Sequence, residues 1–160
     1  MRRFRELLSR LIRAKVDFVI IGGLATEVYG ASLVTQDIDV CCDFSLDNLQ
    51  RLDVALSGVH PVYRAHPRRP PIKLTPEFCH GLKNLHLSTD YGQLDCLSSV
   101  MGIGDFAEVK RDSIELELEA GPCRVLSLEA LIKAKEAMDR PRDREAVLQL
   151  KAIRERLASS

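Results

Sequence analysis

Residues 18–40 read FVIIGGLATEVYGASLVTQDIDV, and this stretch decides the predicted fold. Residues 18–21 form a short β-branched run that is apolar on both faces, which predicts a central strand. Gly22-Gly23 ends that strand, and residues 24–29 follow with the pattern of a short helix. Residues 37–42 then return as a second strand. The stretch therefore predicts a strand, a glycine turn, a short helix and a strand in close succession.

Two aspartates lie on the second of these strands. Side chains two positions apart on a strand point to the same face, so Asp37 and Asp39 lie together while Ile38 and Val40 pack on the other face. Two carboxylates held so close repel each other unless a cation lies between them. Mg²⁺ is the expected cation, because it is held by a few carboxylates and completes its shell with water and phosphate oxygens.

A third carboxylate is predicted on a later strand. Residues 82–88 and 93–98 read as two strands joined by a turn at residues 89–92, and Asp95 lies inside the second one. An aspartate among apolar strand residues is costly to bury unless it is paired or bound to a metal ion. Asp95 is therefore a candidate site residue.

The order of these features resembles the nucleotidyltransferase superfamily, whose simplest members are the minimal nucleotidyltransferases and which includes polymerase beta more distantly. In that family a Gly-Gly or Gly-Ser turn begins a short helix, an Asp-x-Asp/Glu pair follows, and a third carboxylate comes from a separate strand. Gly22, Gly23, Asp37, Asp39 and Asp95 match this pattern in turn.

The C-terminal part extends the resemblance. Residues 135–143 read KEAMDRPRD and look like the lysine, arginine-proline and aspartate signature of the AbiEii-like nucleotidyltransferases of bacterial toxin–antitoxin and phage-defence systems. The resemblance covers about residues 16–150. Arg140 and Asp143 are expected to cap and connect the last two helices, and they are second-rank candidates for the nucleotide side of the site.

The resemblance implies an α+β fold, with a small mixed β-sheet, flanking helices and C-terminal helices that close a nucleotide cleft. One domain is expected over residues 1–160: an N-terminal helix at 1–15, a catalytic core at 16–126 and C-terminal helices at 127–158. The helical segments are predicted from serine caps and leucine spacing at residues 45–56 and 127–138, and from a last helix at about 143–157.

The resemblance also implies roles for the site residues. Asp37 and Asp39 are expected to bridge two metal ions, and Asp95 to complete the site or to act as general base. Gly22 and Gly23 would let the backbone approach the β- and γ-phosphates of a bound nucleotide. Lys135 is a candidate triphosphate contact, or else part of a solvated helix face.

The function implied is Mg²⁺- or Mn²⁺-dependent transfer of a nucleoside monophosphate from a nucleoside triphosphate, ATP among them, to a hydroxyl group. A toxin–antitoxin component that acts on a partner toxin protein or transfer RNA is the first expectation, and a small hydroxylated acceptor of the aminoglycoside type is an alternative. Two more possibilities stay open: a catalytically silent module that binds nucleotide or a partner, alone or in an oligomer, and a metal-binding structural domain.

Composition narrows the range of functional classes. Lys and Arg together number 23, as do Asp and Glu, so bulk charge does not favour general binding to nucleic acid or membranes. No apolar run is long enough to span a membrane, and the opening segment lacks a signal-peptide pattern. Five cysteines without regular spacing favour reduced core thiols over disulfides or zinc, which predicts a cytoplasmic protein.

Two groups of polar residues carry weaker predictions. Residues 64–73 contain several cations and three prolines, which predicts an exposed basic loop that is either solvated or contacts the acceptor or triphosphate. The four histidines lack a metal-ligand spacing such as H-x-x-x-H and receive low weight as ligands.

Overall fold

The computed structural model describes residues 2–32, 35 and 37–160. Its helices are α1 Arg2–Arg13, α2 Gly22–Val28, α3 Leu46–Ala55, α4 Pro76–Cys79, α5 Phe106–Arg111, α6 Leu128–Met138 and α7 Pro141–Ser159. Its strands are β1 Phe18–Ile21, β2 Asp37–Cys42, β3 Val62–Tyr63, β4 Asn84–Thr89, β5 Gly92–Leu97, β6 Ser99–Val100, β7 Gly104–Asp105, β8 Ser113–Leu118 and β9 Gly121–Leu126.

Seven of the strands form one mixed sheet in the order β3-β4-β5-β2-β1-β9-β8. Strand β1 is antiparallel to β2 and parallel to β9, while β2 is parallel to β5. The strand pairs at both ends of the sheet are antiparallel. Helices flank this sheet, so the architecture is the predicted α+β fold with a mixed sheet.

The core explains why β1 and β2 lie in the middle of the sheet. All four residues of β1 are buried, as the two-sided apolar pattern predicts. On β2, Ile38 and Val40 are fully buried, whereas Asp37 and Asp39 on the opposite face are partly exposed. The predicted alternation along β2 is thus confirmed.

Several predicted element boundaries are confirmed by their caps. Ser45 accepts a hydrogen bond from the backbone of Asn48 at the start of α3, and Ser127 does the same from Ala130 at the start of α6. The hairpin of β4 and β5 turns at Asp90 and Tyr91, inside the predicted turn.

Some predicted boundaries differ from the structure. A strand is predicted from the sequence at residues 59–63, but only Val62–Tyr63 form one, because His60 has a positive φ of 52° and Pro61 cannot continue a ladder. A turn is predicted from the sequence at Gly121-Pro122, but in the structure the turn lies earlier, since both residues already pair with β8. The last helix begins at Pro141, two residues before the predicted start. The sequence pattern did not predict four short elements, α4, α5, β6 and β7.

All five cysteines are free and buried, as expected for reduced core thiols. Burial raises the pKa of Cys41 to about 12 and that of Cys123 to about 11. Cys41 and Cys123 are therefore protonated packing groups at neutral pH. Within the described ranges, none of the helices is both long enough and apolar enough to cross a membrane.

Candidate active site

Strand register brings the three predicted carboxylates together. Asp39 on β2 lies directly beside Asp95 on β5, because these two strands are parallel and adjacent. Two residues earlier, Asp37 lies beside Gln93 in the same way. With the amide oriented to satisfy both groups, the Gln93 nitrogen donates to the two carboxylate oxygens of Asp37 at 2.7 and 3.2 Å. The sheet therefore holds both carboxylates of β2 in defined positions.

The position of Asp39 perturbs its carboxyl group. Burial first, and then the neighbouring carboxylates of Asp95 and Asp37, together raise its pKa from the ordinary 3.8 to about 6, against an opposing contribution from Lys135. This is the behaviour of a carboxylate crowded by others in a partly buried position. A cation at this point would relieve the repulsion.

Asp95 has two cationic or potentially cationic partners. Its Oδ1 accepts a hydrogen bond from Arg64 Nη2 at 2.5 Å and lies 3.0 Å from His86 Nδ1. The Arg64 and Asp95 side chains are only 19% and 15% exposed. Charge pairing therefore compensates the burial of Asp95, as expected for an aspartate among apolar strand residues.

The glycine turn lies directly against these groups. Gly22 begins α2 with a φ of +64°, and a Cβ there would collide with Asp39 Oδ2. At Gly23 a Cβ would lie 2.8 Å from both Cβ and Oγ1 of Thr35. Both positions require glycine, because the backbone passes too close to its neighbours to admit a side chain.

A cationic group from the C-terminal helices faces the carboxylates. Lys135 on α6 is 8% exposed, and its Nζ lies 3.5 Å from Oδ1 of the fully buried Asp143 on α7. Asp143 Oδ2 also accepts from Arg140 through the backbone nitrogen at 3.1 Å and Nε at 2.6 Å. Burial lowers the pKa of Lys135 in spite of the carboxylates of Asp143 and Asp39. Asp143 thus connects the two helices, as predicted.

These groups share one cavity of about 490 Å³. The polar and glycine residues that line it are Gly22, Gly23, Thr26, Thr35, Asp37, Asp39, His86, Asp95, Lys135, Arg140 and Arg142. The apolar part of the wall is formed by Ile21, Leu97, Val100, Met101, Leu126, Leu131, Ala134, Met138 and Ala146. All six predicted site residues therefore lie in the same cavity.

The donor set suits a hard divalent cation. Carboxylate oxygens are the ligands that Mg²⁺ prefers, and Mg²⁺ in nucleotide sites needs only one or two of them because phosphates and water supply the rest. Among the described residues, no group of three or more His, Cys, Asp or Glu side chains is placed to hold an ion by itself. The crowding around Asp39 nevertheless makes a cation favourable. Asp37 and Asp39 would hold it, with Asp95 beside them.

Two residues close to the carboxylates were missed by sequence reasoning. The sequence pattern places Arg64 in an exposed loop and gives His86 low weight as a ligand. The pairing of His86 with Asp95 could have been found, because a turn at residues 90 and 91 fixes the hairpin register. The contact of Arg64 with Asp95 could not have been found from the sequence, since β3 is only two residues long.

The fold is that of nucleotidyltransferases. The chain is similar to the lincosamide antibiotic adenylyltransferase LnuA with lincomycin bound, at a TM-score of 0.63 and 18% identity over 96% of this chain and 97% of that one. It is also similar to ANT(2'')-Ia in complex with adenylyl-2''-tobramycin, at 0.56 and 16% over 96% of each chain. A Thermotoga maritima protein with an inferred nucleotidyltransferase activity is similar at a TM-score of 0.55 and 17% identity, over 99% of this chain and 92% of that one.

The likeness is structural. No family model matches the sequence, and no curated protein matches it either. At 16 to 18% identity the solved structures show a shared fold over nearly their whole length. Any role of individual residues has to come from the site itself.

Proposed function

We propose that the protein is a nucleotidyltransferase that uses Mg²⁺ or Mn²⁺ and transfers a nucleoside monophosphate from a nucleoside triphosphate to a hydroxyl acceptor. One observation carries the proposal. Asp37, Asp39 and Asp95 meet on one face of the sheet, in the cavity that also contains the Gly22-Gly23 turn and Lys135. A carboxylate wall opposite a buried lysine matches a metal-bound triphosphate in charge.

Each group has a task in this reaction. Asp37 and Asp39 would hold the metal ion, which would supply neutralisation of the negative charge that develops during transfer. Gly22 and Gly23 leave room for the phosphate chain beside the backbone, and Lys135 neutralises part of its charge. We assign to Asp95 the task of accepting the proton of the acceptor hydroxyl as that oxygen attacks the α-phosphate and pyrophosphate leaves.

For the acceptor we favour a small hydroxylated molecule. Two of the structural neighbours are named with antibiotics, lincomycin and adenylyl-2''-tobramycin, and the likeness spans 96 to 97% of their length. We therefore place a small molecule before a partner toxin protein or transfer RNA, and before a toxin–antitoxin role. The buried free cysteines favour a cytoplasmic location.

The first experiment is nucleotide binding by calorimetry with each of the four ribonucleoside triphosphates, with and without Mg²⁺. The variant Asp37→Ala/Asp39→Ala removes both β2 carboxylates. Asp47→Ala/Asp112→Ala removes two exposed aspartates outside the cavity and serves as the charge-matched control. We expect Mg²⁺-dependent binding that the control retains and the site variant loses.

Transfer is then measured with the triphosphate that binds, labelled at the α-phosphate, against a panel of hydroxylated antibiotics and transfer RNA. Label on an acceptor, lost in Asp95→Asn, supports the enzyme. Binding without transfer to any acceptor would favour a silent nucleotide-binding module. Failure to bind any triphosphate would refute the proposal.

A further inference from the structure

A row of polar side chains crosses three strands of the sheet, β2, β5 and β4, and ends just after β3 at a residue outside the proposed machinery. In the strand register Asp39 lies beside Asp95, and Asp95 lies in turn beside His86 on β4. Arg64 directly follows β3, and its backbone N–H donates to the carbonyl of His86 at 2.8 Å. The row is thus Arg64, His86, Asp95, Asp39, and its positive end lies toward the edge of the sheet.

The guanidinium of Arg64 is held at two points. Nη1 donates to the backbone carbonyl of Leu87 at 2.8 Å, while Nη2 donates to Asp95 Oδ1 at 2.5 Å. The first bond fixes the guanidinium against the β4 backbone, and the second transmits that fixed position to the carboxylate. Because the planar fork of arginine binds both acceptors at once, little freedom remains in either side chain.

The contacts of Arg64 and His86 with Asp95 engage only one carboxylate oxygen. Both Arg64 and His86 contact Oδ1. The second oxygen, Oδ2, takes no part in these two contacts, and the Asp95 side chain lines the cavity. Without Arg64, Asp95 would keep only His86 beside two like charges, and repulsion would favour rotation away from them.

We propose that Arg64 is a positioning residue that orients Asp95, so that Oδ2 is presented to the metal and acceptor side of the site. The inference rests on the proposed function, because it assigns Asp95 a task there. It is independent of which nucleotide or acceptor is used. Arg64 itself does not line the cavity.

Mn²⁺ binding gives a test that does not need turnover. Mn²⁺ is titrated into wild type, Arg64→Ala, Asp95→Ala and the double variant, and free Mn²⁺ is followed by electron paramagnetic resonance. Removing a positive charge near three carboxylates should by itself tighten cation binding. Loss of a positioning contact should weaken it, by about 10-fold on the scale seen for groups that orient metal ligands.

Loss of the positive charge and loss of the positioning contact change Mn²⁺ affinity in opposite directions, so the double-mutant cycle of Arg64→Ala and Asp95→Ala distinguishes them. We expect Arg64→Ala to weaken Mn²⁺ binding when Asp95 is present, and to leave it unchanged or tighten it in the Asp95→Ala background. Tighter binding in both backgrounds would show that Arg64 acts only as a through-space charge and would overturn the inference. So would equal affinity in wild type and Arg64→Ala, or no Mn²⁺ binding by the wild type.

Two further variants separate charge from geometry and guard against misfolding. Arg64→Lys keeps the charge but replaces the planar two-nitrogen fork, which contacts Leu87 and Asp95 through separate nitrogens, by a single nitrogen on a flexible stem, so we expect it to behave like Arg64→Ala. Arg68→Ala removes an exposed cation from the same loop and should bind Mn²⁺ as the wild type does. If Arg64→Ala does not fold, the Arg64→Lys variant carries the same comparison.

Turnover, where it is found, adds an independent readout. With the metal ion at saturating concentration, Arg64→Ala should lower kcat while the dissociation constant of the triphosphate changes less than about 3-fold, since Asp95 acts on the acceptor rather than on nucleotide binding. Added guanidinium ion should restore part of the rate in Arg64→Ala but not in Asp95→Ala. If wild type binds Mn²⁺ and no triphosphate, the proposed function fails while the cycle can still be interpreted.

Discussion

Replacing the crowded carboxylate of β2 should stabilise the protein in the absence of metal. Asp39→Asn keeps the size of the side chain and removes its charge. The pKa of Asp39 is raised from 3.8 to about 6, first by burial and then by Asp95 and Asp37. The folded state therefore binds the proton more tightly than the unfolded chain, so this residue favours folding below about pH 4 and loses that contribution as the pH rises toward 6.

The magnitude follows from the size of that difference. At 1.36 kcal/mol for each pKa unit, the cost of the charged form approaches about 3 kcal/mol above pH 6, and partial exposure reduces it to about 1–3 kcal/mol. Asp39→Asn should gain this amount over wild type at pH 7.5 and gain little at pH 4. Urea unfolding between pH 4 and 8 in EDTA measures it, with the exposed Asp112→Asn as control.

Addition of Mg²⁺ offers the complementary measurement. A cation held by Asp37 and Asp39 stabilises the wild type by mass action and should narrow the difference from Asp39→Asn. If Asp39→Asn is equal to or less stable than wild type at pH 7.5 in EDTA, the electrostatic reasoning is refuted. A stability gain that does not change with pH would refute it as well.

Three further outcomes are expected. Gly22→Ala should lower the free energy of unfolding by at least about 2 kcal/mol and weaken nucleotide binding, because a left-handed residue is strained and its Cβ displaces Asp39. Gly81→Ala is the control for strain alone, since Gly81 has a φ of +72° and open space around it. Equal losses of nucleotide affinity in the two variants would contradict the assigned role of Gly22. Asp143→Asn should lower the free energy of unfolding in urea by about 3–5 kcal/mol, since it breaks a buried ion pair. Asp139→Asn, at an exposed ion pair, should lower it far less. Similar losses in the two variants would contradict the assigned roles. EDTA should weaken triphosphate binding at least about 10-fold with recovery on adding Mg²⁺ or Mn²⁺, and unchanged affinity would exclude a metal-bound nucleotide.

Much of the fold was predictable because local patterns and tertiary packing agree. The two-sided apolar run of β1 and the alternation along β2 predict a buried central pair, which the structure confirms. Serine caps predicted the starts of α3 and α6 for the same local reason. The short elements between residues 99 and 111 escaped prediction because two-residue strands carry too little periodicity to detect.

The sequence by itself determined the order of the glycine turn, the Asp-x-Asp strand and the third aspartate, since chain order and side-chain alternation need no knowledge of distant contacts. Only the tertiary structure decided that Asp95 lies beside Asp39, that a buried lysine faces them, and that Arg64 reaches Asp95 across β4. Strand order and side-chain reach depend on how the whole sheet assembles. Distant residues become neighbours through that assembly, and local sequence patterns do not encode it.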